Sequence, residues 1–141
     1  MYKRQPLRSE ERKENNPLVI AGGPGAFNPE PLSRFIDLFV IGEGEEIIGK
    51  MIEVYRKWKD KKWSRVKLLE ELAWIEGIYV PSFYEITYFK DGKVQSVTPK
   101  KETYYSVIKK QIISDFDKVA YPLFPIAVSY THLTLPTTPY V

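Results

Sequence analysis

The hydrophobic residues of the chain first cluster in two short, uninterrupted runs that each end in glycine. Residues 18–21 run into a Gly-Gly-Pro loop at 22–24, and residues 38–41 run into a Gly-Glu-Gly-Glu loop at 42–45. Continuous rather than alternating apolar runs are typical of parallel strands in a sheet that is covered on both faces. The pattern therefore predicts two parallel strands whose carboxyl ends each carry a glycine loop.

A helical period follows the second strand. Over residues 45–61, one stripe of a helix would carry the apolar side chains Ile47, Ile48, Met51, Ile52, Tyr55 and Trp58. Ser64 can cap a second helix over residues 65–76, which Gly77 would end. The apolar positions of this second helix, which we expect to face the core, are Leu68, Leu69, Leu72, Ala73 and Ile75.

The segments around these elements have simpler patterns. Residues 8–16 are polar and charged, which predicts a surface segment. Residues 29–36 suggest a short helix between the two strands, with Asn28 as its N-cap.

The pattern changes after the second helix. Residues 83–89 and 94–98 flank an Asp-Gly turn, which predicts a β-hairpin. Residues 104–117 are a candidate for one more strand, and residues 121–125 read as an extended linker. Strands that alternate with helices, followed by a hairpin, indicate an α/β fold with a β-rich appendage.

Composition narrows the classes of function. The 141 residues allow one ordinary domain, and the net charge of +3 is too small to indicate nucleic-acid binding by itself. The absence of cysteine excludes disulfides, thiolate metal sites and cysteine nucleophiles within this chain. The one histidine is His132, and the carboxylates show no acid–base spacing, so we expect no catalytic residue and no metal ligand. The lack of cysteine and of a signal-peptide pattern favours a cytoplasmic location.

The two ends of the chain differ from what lies between them. Residues 128–141 carry no charge and resemble a translated transposase-type sequencing adapter, and residues 1–5 can be written as the reverse complement of the same oligonucleotide. We therefore expect both ends to be adapter artefacts and the natural fragment to span about residues 6–126. The alternative is a genuine tail. A fragment cut in this way would fold only marginally, because the strands at 18–21 and 38–41 would lie next to an open sheet edge.

The two glycine loops are the candidate binding site. In open parallel sheets ligands sit beyond the carboxyl ends of the strands, and glycine lets the backbone approach a ligand closely. The residues that we expect to shape this crevice are Gly22, Gly23, Pro24, Gly42, Glu43, Gly44 and Glu45. The alternative is that the glycines only make tight turns between strand and helix.

The second loop does not match the usual phosphate-binding motifs. Ile47 stands where a dinucleotide fingerprint needs its third glycine, and Met51 stands where a P-loop needs serine or threonine. Glu43, Glu45 and Glu46 crowd the start of the helix, where they would repel a phosphate. The loop therefore suits a neutral ligand edge with amide or hydroxyl groups. The alternative is that its glutamates only complement the dipole at the start of the helix.

Basic and aromatic residues alternate near the end of the first helix. Residues 56–67, RKWKDKKWSRVK, place Trp58 and Trp63 among lysines and arginines. Such interleaving can bind nucleic acid. The alternative is a solvated helix end whose cations complement the helix dipole.

Four segments of the chain carry a family resemblance. They are PLRSEER, PLVIAGGPGAFNPEPLSRFIDLFVIGEGEE, IEGIYVPSFYE and SDFDKVAYPLFPI. In this order they resemble the N-terminal part of an uncharacterised radical SAM family with a cobalamin-binding-like leading domain. The resemblance covers about residues 6–126, and Gly25 departs from it at a position where the family commonly has cysteine.

The resemblance implies a larger radical SAM enzyme of undetermined substrate. Residues 6–80 would be the second half of a flavodoxin-like (Rossmann-type) parallel-sheet domain, and residues 81–127 would be a hairpin and connector toward a missing radical SAM domain. The loops at 22–24 and 42–45 would face a cobalamin, unless this branch has lost it.

The missing radical SAM domain would be the partner of this chain. It would bind a 4Fe–4S cluster and S-adenosylmethionine through a CxxxCxxC motif, so the fragment itself would catalyse nothing. The alternative is a ligand-free α/β domain that docks a protein or RNA through residues 56–67.

Overall fold

The computed structural model describes residues 5–119 of the chain. Residues 1–4 and 120–141 lie outside this range. The predicted adapter segment 128–141, most of the segment 1–5 and the predicted linker at 121–125 therefore stay predictions. The domain boundaries proposed at residues 80 and 127 stay predictions as well.

A three-stranded mixed sheet organises the described residues. Its strands β1 (Ile20–Ala21), β2 (Leu38–Val40) and β3 (Ile78–Tyr79) lie in the order β1-β2-β3. β1 and β2 are parallel, as predicted, whereas β3 runs antiparallel to β2. The fold is therefore of the mixed α/β class with one parallel pair, and a wider flavodoxin-like parallel sheet remains a prediction.

Two helices between β2 and β3 explain the direction of β3. Helix α1 (Glu45–Lys61) follows β2, and helix α2 (Arg65–Ala73) packs against α1. One crossover helix would return the chain parallel to β2, but a second helix reverses it once more. The hydrophobic pattern did not predict β3, because its two residues become a strand only by pairing with β2.

The two helices confirm the predicted pair. α1 has the predicted bounds, and Ser64 caps α2 by accepting a hydrogen bond from the N–H of Lys67 at 3.2 Å. The predicted end of α2 at residue 76 is wrong by three residues. The carbonyl of Gly77 already accepts from the N–H of Ile41 at 2.7 Å, so the chain must leave the helix early to reach the sheet.

The predicted short helix over residues 29–36 forms only as the three-residue 3-10 helix Glu30–Leu32, and the assignment of Asn28 as its N-cap is wrong because Pro29 holds that position. Two short 3-10 helices, Pro24–Phe27 and Glu30–Leu32, fill the connection from β1 to β2, and Pro29 precedes the second. The carbonyls of Arg34 and Phe35 accept hydrogen bonds from the N-terminal segment. These tertiary bonds pull the chain away from a continuous helix.

The hydrophobic core includes both helices and the sheet. Its fully buried side chains are Phe39, Leu38, Ile47, Leu68, Leu72, Ile78 and Val80. The buried side of α2 is as predicted at Leu68, Leu69 and Leu72. The stripe predicted on α1 is only half buried. Ile47 and Met51 face the core, but Ile48, Ile52 and Tyr55 are 56%, 46% and 42% exposed.

The predicted hairpin is confirmed. Its strands are β4 (Tyr84–Tyr88) and β5 (Val94–Pro99), and Gly92 in the turn adopts φ +84°. The hydroxyl of Tyr84 donates to the carbonyl of Tyr105 at 2.8 Å. This bond attaches the hairpin to the segment that follows it.

A buried ion cluster connects the N-terminal segment to the sheet and to α2. The Asp37 carboxylate, one residue before β2, accepts a hydrogen bond from the Arg12 guanidinium at 2.8 Å and forms an ion pair with the Arg65 guanidinium at 3.0 Å. The three side chains are only 3%, 2% and 9% exposed for Arg12, Asp37 and Arg65. The prediction that residues 8–16 form a surface segment is therefore wrong at Arg12.

Each arginine of this cluster also binds backbone carbonyls. Arg12 donates to the carbonyls of Leu7 and Phe35 at 2.8 and 2.6 Å. Arg65 donates to the carbonyl of Asn16 at 2.6 Å, and its backbone N–H donates to the Glu14 carboxylate at 2.5 Å. Burying these charges is tolerable because each one has partners.

Replacing Asp37 with alanine should destabilise the chain strongly. The substitution leaves two buried guanidinium groups without their carboxylate, at a cost of about 3–5 kcal/mol. We expect a large drop in the urea midpoint measured by circular dichroism.

The matched control is Glu71→Ala, which breaks an exposed ion pair with Lys67. Such pairs contribute about 0–1 kcal/mol, so the midpoint should barely move. Equal midpoints for the Asp37 and Glu71 variants would show that the cluster does not hold the fold.

Candidate functional site

The two glycine loops meet at one end of the sheet. Because β1 and β2 are parallel, their carboxyl ends lie side by side. A groove of about 440 Å³ opens beside these ends, between the β1 edge and α1. Its lining residues are Leu18, Ile20, Gly22, Gly23, Val40, Gly42, Gly44, Ile48, Met51, Ile52, Tyr55 and Leu72.

The structure brings together four of the seven predicted site residues. Gly22, Gly23, Gly42 and Gly44 line the groove, whereas Pro24, Glu43 and Glu45 are not among its lining residues. Gly23 adopts φ +86°, and a side chain there would meet no atom within 4 Å. This loop therefore presents bare backbone to open space.

Glu43 has a partner of its own. Its carboxylate accepts from the N–H of Ile113, and its backbone N–H donates to the carbonyl of Gln111 at 3.1 Å. The N–H of Gln111 in turn donates to the carbonyl of Ile41 at 3.0 Å, which makes a parallel bridge to Gly42. Glu43 thus fastens a later segment of the chain to the end of β2. Of the candidate strand at 104–117, this bridge at Gln111 is the part that forms.

Gly42 is required for this contact. It adopts φ +102°, and a Cβ atom there would lie 2.2 Å from the carbonyl oxygen of Gln111. Gly77 is similarly crowded, with φ +87° and a Cβ position 2.9 Å from the Ile41 oxygen. Packing of the backbone therefore accounts for Gly42 without any ligand.

The walls of the groove are apolar. Ile20 on β1 is 47% exposed, and Ile48 and Ile52 on α1 contribute neighbouring exposed surface. The sequence pattern assigned these α1 residues to the core, so it missed them as site residues. The helical period of these residues is visible in the sequence, but periodicity does not show which part of an apolar stripe packs against another element.

The comparisons with known proteins gave one family. The family model described as "Radical SAM proteins, N-terminal" matches residues 2–81, which is more than half of the chain. The chain belongs to this family. Searches of curated proteins and of solved structures gave no match. The family match includes both strand-end loops and α1, so the groove lies within this radical SAM N-terminal region.

Another cavity, of about 580 Å³, lies near the hairpin and extends beyond the residues that the family model matches. Tyr79 and Tyr84 line it, with ring centroids 4.9 Å apart. Burial, aided by the nearby Glu30 carboxylate, raises the pKa of Tyr79 to about 12. The fold therefore favours the neutral phenol.

Two kinds of feature are absent from the described part of this family member. Residues 5–119 contain no group of three or more His, Cys, Asp or Glu side chains placed to hold a metal ion. No helix in that range is long and apolar enough to cross a membrane.

Gly42→Ala should destabilise the chain, and Gly49→Ala should do the opposite. The first substitution forces a Cβ into the Gln111 backbone at positive φ, which costs well over 1 kcal/mol. Gly49 lies inside α1 with free space around its Cβ position, so alanine there should add about 0.5–1 kcal/mol. Urea unfolding of both variants measures the two signs. A neutral Gly42→Ala variant would contradict the tight Gly42–Gln111 contact.

Alkaline unfolding should depend on Tyr79. An unfolded tyrosine ionises near its ordinary pKa of 10.0, below the folded value of about 12. The stability that the fold gains by keeping Tyr79 neutral is therefore fully present below pH 10 and is lost as the pH rises toward 12. We expect Tyr79→Phe to move alkaline unfolding, followed by circular dichroism, to higher pH. The exposed Tyr55→Phe variant should not move it, and identical curves for both would contradict the assignment.

Proposed function

We propose that this chain is an accessory part of a radical SAM enzyme and that its apolar groove receives a cobalamin. Family membership supports the radical SAM context. The sequence resemblance described above supports the cobalamin. In this proposal the 4Fe–4S cluster and S-adenosylmethionine bind to a radical SAM domain that lies elsewhere in the protein.

The observation that carries the proposal is the shape and chemistry of the groove. A cobalamin has a broad, flat macrocycle with amide side chains, so it needs both an apolar wall and a backbone that can come close. Ile48 and Ile52 of α1 offer the wall. The loops at Gly23 and Gly44 offer accessible backbone, since a side chain at Gly23 would meet nothing within 4 Å.

The proposed roles differ among the predicted residues. Gly22, Gly23 and Gly44 would contact the cofactor. Gly42 would fix the base of the groove through its contact with Gln111. Pro24 would shape the first loop. Glu43 and Glu45 would support the second loop from outside the groove. When bound, cobalamin would supply a reactive cobalt centre, and the residues of this chain would orient it and exclude water from one face.

The iron–sulfur cluster does not fit the residues of this chain. The chain has no cysteine, so it can offer no thiolate to iron. In the proposal these ligands come from the radical SAM domain, toward which the hairpin and its following segment would lead. Further strands of a flavodoxin-like sheet beyond the free edge of β1 would compete with the cobalamin for this apolar surface.

A competing occupant of the groove is protein rather than cofactor. The exposed apolar residues beside the β1 edge are also what another strand and helix would cover. The two occupants differ in one measurable respect, because only the first predicts a binding response to added cobalamin.

Hydroxocobalamin titration, followed by its visible absorbance, tests the proposal. We expect a saturable spectral shift that Ile48→Glu weakens at least tenfold, because the substitution places a carboxylate on the apolar wall. Ile48 is 56% exposed, so the fold should tolerate the change.

Val66→Glu is the matched control. Val66 is a 58% exposed helical residue that does not line the groove, so binding should be unchanged. No saturable shift, or equal weakening by both variants with unchanged urea midpoints, would contradict cobalamin binding in this groove.

A further inference from the structure

A concentrated patch of positive charge lies where α1 ends and α2 begins. Residues 56–67 carry seven of the chain's 21 basic residues and one of its 18 acidic residues. The structure separates these cations into two groups. The Arg65 side chain is buried and forms an ion pair with Asp37, and Lys67 pairs with Glu71 at 2.6 Å. The cations that are exposed and form no ion pair with any residue in the described range are Arg56, Lys57, Lys59, Lys61 and Lys62.

Two tryptophans stand among these cations. The Nζ atoms of Lys61 and Lys67 lie 5.0 and 5.9 Å from the centre of the Trp63 ring. Trp58 and Trp63 both line a shallow groove of about 550 Å³, together with Lys59, Lys62, Ser64 and Glu14. The patch therefore offers ring surfaces and charges on one concave face.

Lys62 occupies a conformation that normally favours glycine. It follows the last residue of α1 with φ +51°, the one non-glycine residue at positive φ in the described range. Glycine at this position would relieve the strain of the left-handed backbone. A lysine that keeps a strained position suggests that its side chain has a use there.

The indole N–H of Trp58 is a second unexplained feature. It is buried and finds no hydrogen-bond acceptor among the described residues. Buried donors are nearly always paired. Its Nε1 atom is shielded from solvent, so it lies behind the surface of the groove and does not itself contact a bound molecule.

We propose that this surface, formed by the exposed cations and the two tryptophans of residues 56–67, binds single-stranded RNA. Phosphates would pair with the lysines, and bases would stack on the rings. A membrane surface fits less well. The exposed apolar stripe of α1 ends at Tyr55, and the next position along it is Lys59, whose Nζ lies 5.9 Å from the Tyr55 ring. The charged half of α1 therefore lacks the apolar face that membrane insertion needs.

RNA binding at this surface does not depend on what occupies the apolar groove. The groove for cobalamin is lined by the first part of α1 and by β1, whereas the basic surface uses the last turn of α1 and the turn to α2. Each experiment can therefore fail while the other succeeds.

The test is a titration of the full chain with a fluorescein-labelled oligouridine, read by fluorescence anisotropy at several salt concentrations. Because single strands give a slope of about −0.7 per neutralised phosphate, three engaged lysines predict a slope near −2. The triple variant Lys59→Ala, Lys61→Ala, Lys62→Ala should weaken binding at least tenfold and flatten the salt dependence. Trp63→Leu should weaken binding about tenfold while leaving the slope unchanged.

The controls separate this surface from general charge attraction. The variant Lys90→Ala, Lys109→Ala, Lys110→Ala removes three exposed lysines elsewhere and should leave binding within twofold. Trp74→Leu changes an exposed tryptophan outside the surface and should have no effect. Equal loss in both triple variants, no effect of Trp63→Leu, or preferential binding to phosphatidylglycerol vesicles would overturn the proposal. Circular dichroism of each variant confirms that the helices remain.

Discussion

The rest of the structure depends on the carboxylate of Asp37. It sits at the entry to β2, where it accepts hydrogen bonds from the buried Arg12 and from the N–H of Val19 at 2.7 Å and forms an ion pair with the buried Arg65. Through these three contacts it joins the N-terminal segment, the start of β1 and the start of α2 to the central strand. A charge buried this deeply is tolerated only while its partners are present, so the four elements must assemble together.

This arrangement decides where the candidate site forms. Holding the approach to β1 beside β2 keeps the two strands parallel, and their glycine loops then open at the same end. The two-helix connection to β3 covers one side of the sheet, yet it reaches only half of the apolar stripe on α1. The other half faces the β1 edge, and the space between them is the groove.

The apolar groove and the basic surface use different parts of helix α1. The first turns of α1 carry isoleucines toward the groove, and its last turn carries lysines toward solvent. Membership in the radical SAM N-terminal family supports the role proposed for the groove. The basic surface draws its support from exposed lysines that form no ion pair and from a strained lysine within the described range. One helix can serve both roles because its charged and apolar residues occupy different lengths of it.

Local patterns in the sequence determined the parallel strand pair, the bounds of α1, the cap at Ser64, the hairpin and the groove-lining glycines. These features follow from hydrophobic period, capping chemistry and turn residues, which act over a few neighbours along the chain. Tertiary structure alone decided the direction of β3, the early end of α2, the burial of Arg12 and Arg65, and the exposure of Ile48 and Ile52. It also showed that position 42 requires glycine because of its close contact with the backbone of Gln111, a residue far away along the chain. Each of these depends on which distant group fills the space beside a residue, and local sequence carries no signal for that.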